Sequence, residues 1–259
     1  MSTCVTPQSE ALTDAELNEL SASFESAPPE TVIRWAAEAY GPDIALATGF
    51  GAEGCVLADI VARSNSQMRI FYLDTGLLFP ETYALKERLE ARYGLNIEPH
   101  RTALSLSEQA ETYGERLWER RPNERCRLRK VEPLRQTLSG LRAWVTAIRR
   151  DQSPARAGAG IVERDQKFGL VKINPLATWS KIDVWSYILK HDVPYNPLHD
   201  HGYPSIGCAP CTTPVLIGED PRSGRWRGIC EAGMRSSPVD LCTSNSITLN
   251  LTPNWKRKR

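Results

Sequence analysis

Three cysteines are placed where they could do chemistry together. Cys208 and Cys211 form a C-x-x-C pair in the run Tyr203-Pro-Ser-Ile-Gly-Cys-Ala-Pro-Cys211. That spacing suits zinc or an iron–sulfur cluster, and it also suits a redox dithiol. Cys126 is the candidate third thiol, because Arg125, Arg127, Arg129 and Lys130 surround it. Neighbouring cations favour a thiolate, the form that attacks and ligates. The chain has seven cysteines, an odd and scattered set that does not read as a disulfide framework. Cys55 in an apolar helical run and Cys4 in the terminal segment read as incidental.

A second chemical element is the turn Thr48-Gly-Phe-Gly-Ala-Glu53. A strand, a glycine turn and a helix aim backbone N–H groups at an anion. Gly49 and Gly51 are expected to let the backbone approach it closely. The turn matches neither G-x-x-x-x-G-K-[ST] nor G-x-G-x-x-G, so an ordinary βα turn is the plainer reading of these residues alone. Glu53 repels a phosphate unless it points away or holds the turn.

The elements that position these groups alternate. Two amphipathic helices occupy residues 12–40. Strand patterns follow at 44–48, 68–73, 96–100, 143–148 and 170–176, with helical patterns at 80–93, 105–113, 129–138 and 180–191 between and after them. Ser180 is a good helix cap. This order predicts an α/β fold, a parallel twisted sheet with helices on both faces. Ligands of such folds sit beyond the carboxyl ends of the strands. The segments 48–53, 74–76 and 149–156 fall there. From about residue 193 six prolines punctuate a long irregular segment, of the kind that is functional when it sits inside a compact domain.

A net charge of +1 argues against a general nucleic-acid or membrane role. No apolar run is long enough to span a bilayer, and the first residues lack the regions of a signal peptide, so a cytoplasmic location is expected. The sequence leaves both a monomer and a homo-oligomer open.

Taken together, these runs resemble the assimilatory sulfonucleotide reductases, which reduce adenylylsulfate or phosphoadenylylsulfate. The resemblance rests on Ala47-Thr-Gly-Phe-Gly-Ala-Glu53, Leu73-Asp-Thr-Gly76, Arg129-Lys-Val-Glu-Pro-Leu134 and Thr146-Ala-Ile-Arg-Arg-Asp-Gln-Ser153. It continues through Lys172-Ile-Asn-Pro-Leu176, Gly202–Cys211 and Gly218-Glu-Asp-Pro-Arg-Ser-Gly-Arg-Trp226. It implies an adenine-nucleotide α-hydrolase-like fold. It also implies substrate contacts from Thr48, Gly49, Phe50, Gly51, Asp74, Thr75 and Gly76 at the nucleotide, and from Lys130, Arg156, Arg222 and Arg225 at the phosphosulfate. The C-x-x-C implies the cluster-bearing type, with a [4Fe–4S] cluster on Cys126, Cys208 and Cys211 and a preference for adenylylsulfate. The implied reaction is thioredoxin-dependent: a cysteine thiolate attacks the sulfate sulfur, AMP leaves, and thioredoxin or a similar dithiol releases sulfite from the S-sulfonate.

Two departures stand out. The family's Cys-Cys pair reads Arg125-Cys126 here, which leaves three ligands and an incomplete, empty or zinc-filled site. The family's C-terminal Glu-Cys-Gly-Leu-His, which carries the attacking cysteine, is absent from the sequence. Permitted codons for residues 231–238, read one base later, encode Lys-Leu-Glu-Cys-Gly-Leu-His, and Met234-Arg235 as ATG-CGN forces the cysteine codon. Residues 228–259 are therefore expected to be an out-of-frame, poorly ordered tail after N-terminal helices (1–41) and a reductase domain (42–227), with activity impaired. Cys230 is a weak substitute nucleophile. The alternatives are a phosphoadenylylsulfate reductase and a non-catalytic, zinc-stabilised nucleotide-binding protein.

Overall fold

The central strands, at 44–48 and 143–145, are short apolar runs because helices cover both faces of the sheet they form. A computed structural model describes residues 12–64 and 66–227 of the chain. Its strands are β1 (Ile44–Thr48), β2 (Arg69–Leu73), β3 (Ile97–His100), β4 (Ala143–Val145), β5 (Val162–Asp165) and β6 (Leu170–Ile173). They form one sheet in the order β3-β2-β1-β4-β6-β5. All neighbours are parallel except β5, which runs antiparallel to β6 with Val162 opposite Ile173. The result is a twisted mixed sheet with helices on both faces, the α/β architecture expected. β5 is the strand that periodicity overlooks, since its sequence Val-Glu-Arg-Asp carries three charged residues. Asp165 turns the chain into β6, accepting from the N–H groups of Lys167 at 3.0 Å and Phe168 at 3.2 Å. At the opposite edge Pro99 lies in β3, where a missing N–H costs no ladder bond.

The helices are α1 (Asp14–Ser23), α2 (Pro29–Tyr40), α3 (Ala52–Arg63), α4 (Pro80–Tyr93), α5 (Leu106–Tyr113), α6 (Leu117–Arg120), α7 (Pro122–Cys126), α8 (Glu132–Leu138) and α9 (Lys181–His191). Ser180 caps α9, its hydroxyl accepting from Asp183 N–H at 3.2 Å. Successive strand residues point to opposite faces. Leu46, Ile70 and Val145 pack with Leu17, Val32, Ile33, Val56, Ile60 and Ile188 on one side. Ala45, Phe71 and Trp144 pack with Leu134 and Leu138 on the other. Among the described residues no helix is long and apolar enough to cross a membrane. The tail at 228–259, with Cys230 and Cys242, lies outside the described residues, as does Cys4.

Candidate functional site

Order reverses beside β1: β2 and β3 extend the sheet one way, and β4 and β6 the other. The crevice at such a switch point is where open α/β sheets bind ligands. The turn after β1 reaches it and is followed at once by α3, whose first-turn N–H groups carry the positive end of the helix dipole. Thr48 closes the turn by accepting from Phe50 N–H at 3.1 Å. The left-handed residue is Phe50 (φ 57°), not a glycine. Its buried ring packs edge-on to Tyr72, with centroids 5.1 Å apart. That packing sustains a backbone conformation that strains a residue with a Cβ, a feature concentrated at functional sites. The glycine that sterics demand is Gly54, where a Cβ would stand 2.6 Å from Thr48 Oγ1. Glu53 holds the turn: Arg149, itself buried, donates from Nε to Glu53 Oε1 at 3.0 Å. The carboxylate is thereby paired beside the turn, and Arg149 reaches Asp151 as well.

The next strand ends in Asp74, Thr75 and Gly76, all inside a network. Asp74 Oδ1 accepts from Gly76 N–H at 3.0 Å and from Tyr83 OH at 2.8 Å, and Oδ2 pairs with Arg101 at 3.1 Å. Burial and the Asp74 carboxylate together push the Tyr83 phenol up. Arg129 is buried and clamps this loop, donating to Thr75 C=O at 3.1 Å, Leu104 C=O at 3.2 Å and Gln109 Oε1 at 2.6 Å. Burial, then the Arg125 charge, lower its affinity for its proton. The sequence marked Arg129 only as one cation near Cys126 and missed its positioning role, as it missed the Arg149–Glu53 pair. Their places inside the matched runs were the sole signal.

Cys126, Cys208 and Cys211 are buried in one pocket with Arg125, which is 1% exposed. Cys126 ends α7. Cys208 and Cys211 sit on a turn that is tied to the segment after β2 by Ala209 N–H donating to Leu77 C=O at 2.7 Å. Arg125 reaches both thiols of that turn, from Nη1 to Cys208 Sγ at 3.1 Å and from Nη2 to Cys211 Sγ at 2.6 Å. Thr75 Oγ1 lies 3.3 Å from Cys208 Sγ. Burial alone would raise the Cys208 thiol, but Lys130 and Arg125, with hydrogen bonds from Thr75 and Arg125, bring it down to about 7. Burial raises Cys211 against the pull of Arg125, and the Cys208 charge adds to the rise. Cys208 therefore ionises first.

This geometry overturns the iron–sulfur expectation. Among the described residues no group of three or more His, Cys, Asp or Glu side chains is arranged to hold a metal ion. The physical reason is Arg125, a buried cation that meets two of the sulfurs a cluster would need. The residues do not fit a [4Fe–4S] group. The assignment to the cluster-bearing type, the cofactor and the zinc-filled alternative fall together.

The remaining arginines divide. Lys130 lies half-buried in a π-helical turn (Arg127–Val131) between α7 and α8, close enough for its charge to act on Cys208. Such turns recur at functional sites. Arg225 is buried and turned inward, donating from Nη1 to Ser205 Oγ at 3.2 Å and to Ile206 C=O at 3.1 Å. Its guanidinium packs where a Cβ on Gly207 would stand, so a side chain at position 207 would require Arg225 to move. Burial, then the Arg222 charge, lower the Arg225 value to about 10. Arg222 follows a turn in which its N–H donates to Asp220 Oδ1 at 2.7 Å, and its Nη2 is buried without a hydrogen-bond partner. Arg156 ends a short 3-10 turn (Pro154–Arg156) after β4 and contacts Gln152. Thr75, Arg125, Lys130, Cys208 and Arg225 thus share one cationic neighbourhood beside the 74–76 loop.

Sheet order, with helices on both faces, defines an α/β protein of the adenine-nucleotide α-hydrolase-like kind. The phosphoadenosine phosphosulfate reductase domain matches residues 43–214, and the chain belongs to that family. It is 48% identical over 224 residues to adenosine 5'-phosphosulfate reductase of Salinibacter ruber, covering 85% of this chain and 89% of the relative. It is 50% identical over 202 residues to adenosine 5'-phosphosulfate reductase 1 of Bacillus subtilis, covering 78% and 87%. Among solved structures, a phosphoadenylyl-sulfate reductase from Candida auris in a phosphate complex superposes with a TM-score of 0.71 at 31% identity, covering 78% of this chain and 98% of that one. The chain is an enzyme of sulfate-reduction chemistry.

Proposed function

We propose that the chain binds adenylylsulfate at the switch-point crevice and that its reaction is reduction to sulfite and AMP, in the cytoplasm, with electrons from thioredoxin or a similar dithiol. The observation that carries this reading is the anion turn Thr48–Gly51 beside a pocket of buried cations, on a chain about half identical to proteins named adenosine 5'-phosphosulfate reductases. In the proposed arrangement Thr48, Gly49, Phe50 and Gly51 line the nucleotide together with Asp74, Thr75 and Gly76, the Phe50 N–H being held inside the turn by Thr48. Lys130, Arg156, Arg222 and Arg225 balance the charge of the phosphosulfate, whose oxygens suit guanidinium forks. A cysteine thiolate attacks the sulfate sulfur, the S–O bond to AMP breaks, and an S-sulfonate forms. A dithiol then attacks the cysteine sulfur and sulfite leaves.

The attacking cysteine is the weak point of this chain. Glu-Cys-Gly-Leu-His is absent from its sequence, and the frame one base away from residues 231–238 can encode it. The reading therefore includes impaired turnover. With the cluster gone, its link to adenylylsulfate no longer decides the substrate, and the likeness to a phosphoadenylyl-sulfate reductase keeps the 3′-phosphorylated nucleotide as the second reading.

Sulfite release with thioredoxin, measured on both nucleotides, tests the reading. The chain is compared with a version whose tail is restored to Glu-Cys-Gly-Leu-His. Adenylylsulfate turnover that rises in the restored version is expected. Equal activity in both versions removes the frame-shift account, and turnover of the 3′-phosphorylated nucleotide alone selects the second reading.

A further inference from the structure

We propose that Cys208 and Cys211 are a metal-free dithiol–disulfide couple, and that Arg125 is the fixed cation that stabilises its reduced form. Three observations outside the nucleotide chemistry carry this. First, one planar guanidinium reaches both sulfurs through its two terminal nitrogens, so the sulfurs lie side by side. Second, the intervening Ala209-Pro210 forms a single 3-10 turn (Ala209–Cys211) in which Cys211 N–H donates to Cys208 C=O at 3.0 Å, a spacing that returns the chain on itself within one turn. Third, Arg125 is buried, its Nε has no hydrogen-bond partner, and its two terminal nitrogens donate to these sulfurs.

The chemistry balances with a low-molecular disulfide as oxidant. The Cys208 thiolate attacks one sulfur of the disulfide and forms a mixed disulfide, and one thiolate leaves. The Cys211 thiolate then attacks Cys208 Sγ, the Cys208–Cys211 bond forms, and the second thiolate leaves. Two electrons pass from the protein pair to the small disulfide, and a dithiol runs the steps in reverse. Thr212 is buried after Cys211, but Thr213 and Pro214, two and three positions on, are exposed, so the chain reaches the surface close to the pair. Closing the bond removes the negative charge beside Arg125 and leaves a buried cation without its counter-charge, a state that is costly. The consequence is an oxidising couple, because stabilising the dithiol form raises the reduction potential.

The test equilibrates the whole chain with reduced and oxidised glutathione at graded ratios, followed by acid quench, alkylation and peptide mass analysis. Trypsin places Cys208 and Cys211 together in the peptide spanning residues 191–222, which contains no other cysteine. A two-hydrogen mass loss in that peptide at oxidising ratios is expected. Arg125→Gln shifts the equilibrium about tenfold toward the disulfide. Cys211→Ser, which keeps Arg125 in place, stops the reaction at a glutathione adduct on Cys208. Thiols that stay reduced at every ratio in the folded chain overturn the proposal. So do a bond to Cys126 in place of the internal one, an Arg125→Gln shift toward the dithiol, and absence of the adduct in Cys211→Ser. None of these readouts depends on nucleotide turnover, so failure here and failure of the reductase reading are separate results.

Discussion

The anion turn and the thiol pocket are neighbours at the carboxyl end of the same sheet, yet they are held in place differently. Thr48–Gly51 is positioned by β1 and α3, two regular elements whose packing fixes the turn between them. Cys208 and Cys211 are positioned by no long element. Their turn hangs on a backbone bond to Leu77, an isolated bridge between Leu78 and Cys208, and the Arg125 side chain from far earlier in the chain. The lesson is that the turn after β1 is a property of the fold, whereas the thiol pocket depends on a few side chains and loop contacts.

That contrast can be broken from either side. The largest effect is expected from Arg125→Ala, which leaves two buried sulfurs without their shared donor: a loss of about 3 kcal/mol in chemical denaturation, with AMP binding retained. Loss of AMP binding in parallel would show that the two halves are one unit. Next comes pH. The unfolded thiol titrates near 9.0 and the folded Cys208 thiol near about 7. Its thiolate therefore contributes stability that is complete above pH 9 and is lost as pH falls through about 7. The contribution is on the order of 1–3 kcal/mol, read as the part of the pH-dependent denaturation midpoint that Cys208→Ser abolishes.

On the nucleotide side, Gly54→Ala drives a methyl group against Thr48 and should weaken AMP binding about tenfold by calorimetry while the Cys208 titration stays put. The smallest effect belongs to Arg101→Ala. Its partner Asp74 keeps Gly76 and Tyr83, and Arg101 itself is largely exposed, so denaturation should move by less than about 1 kcal/mol.

The same division explains what the sequence could reveal. Residues 44–48 and 68–73 are apolar because the sheet buries them on both faces, so strand, turn and helix are written locally and the anion turn can be located from them. The long pairings are not written locally. The resemblance puts Arg125 at a ligand position, but nothing in the run around it says that its fork ends on sulfurs 83 and 86 positions later. The same holds for Arg129 on Thr75 and Arg149 on Glu53. Phe50 is expected from the sequence to line the site, and the glycines beside it to allow a close backbone approach. It is Phe50 that bends, because its ring is anchored in the core against Tyr72.

The order of events during synthesis follows from the edge strand β5. Helix α1 packs against it: Ser21 Oγ accepts from Ile161 N–H at 2.8 Å across 140 positions of sequence, and Arg164 reaches Asp14 and the Leu12 carbonyl. Docking of α1 on β5 therefore waits until the chain beyond residue 160 has been made. A chain that ends before residue 160 lacks both β5 and β6, and its sheet stops at β4 with an unpaired edge.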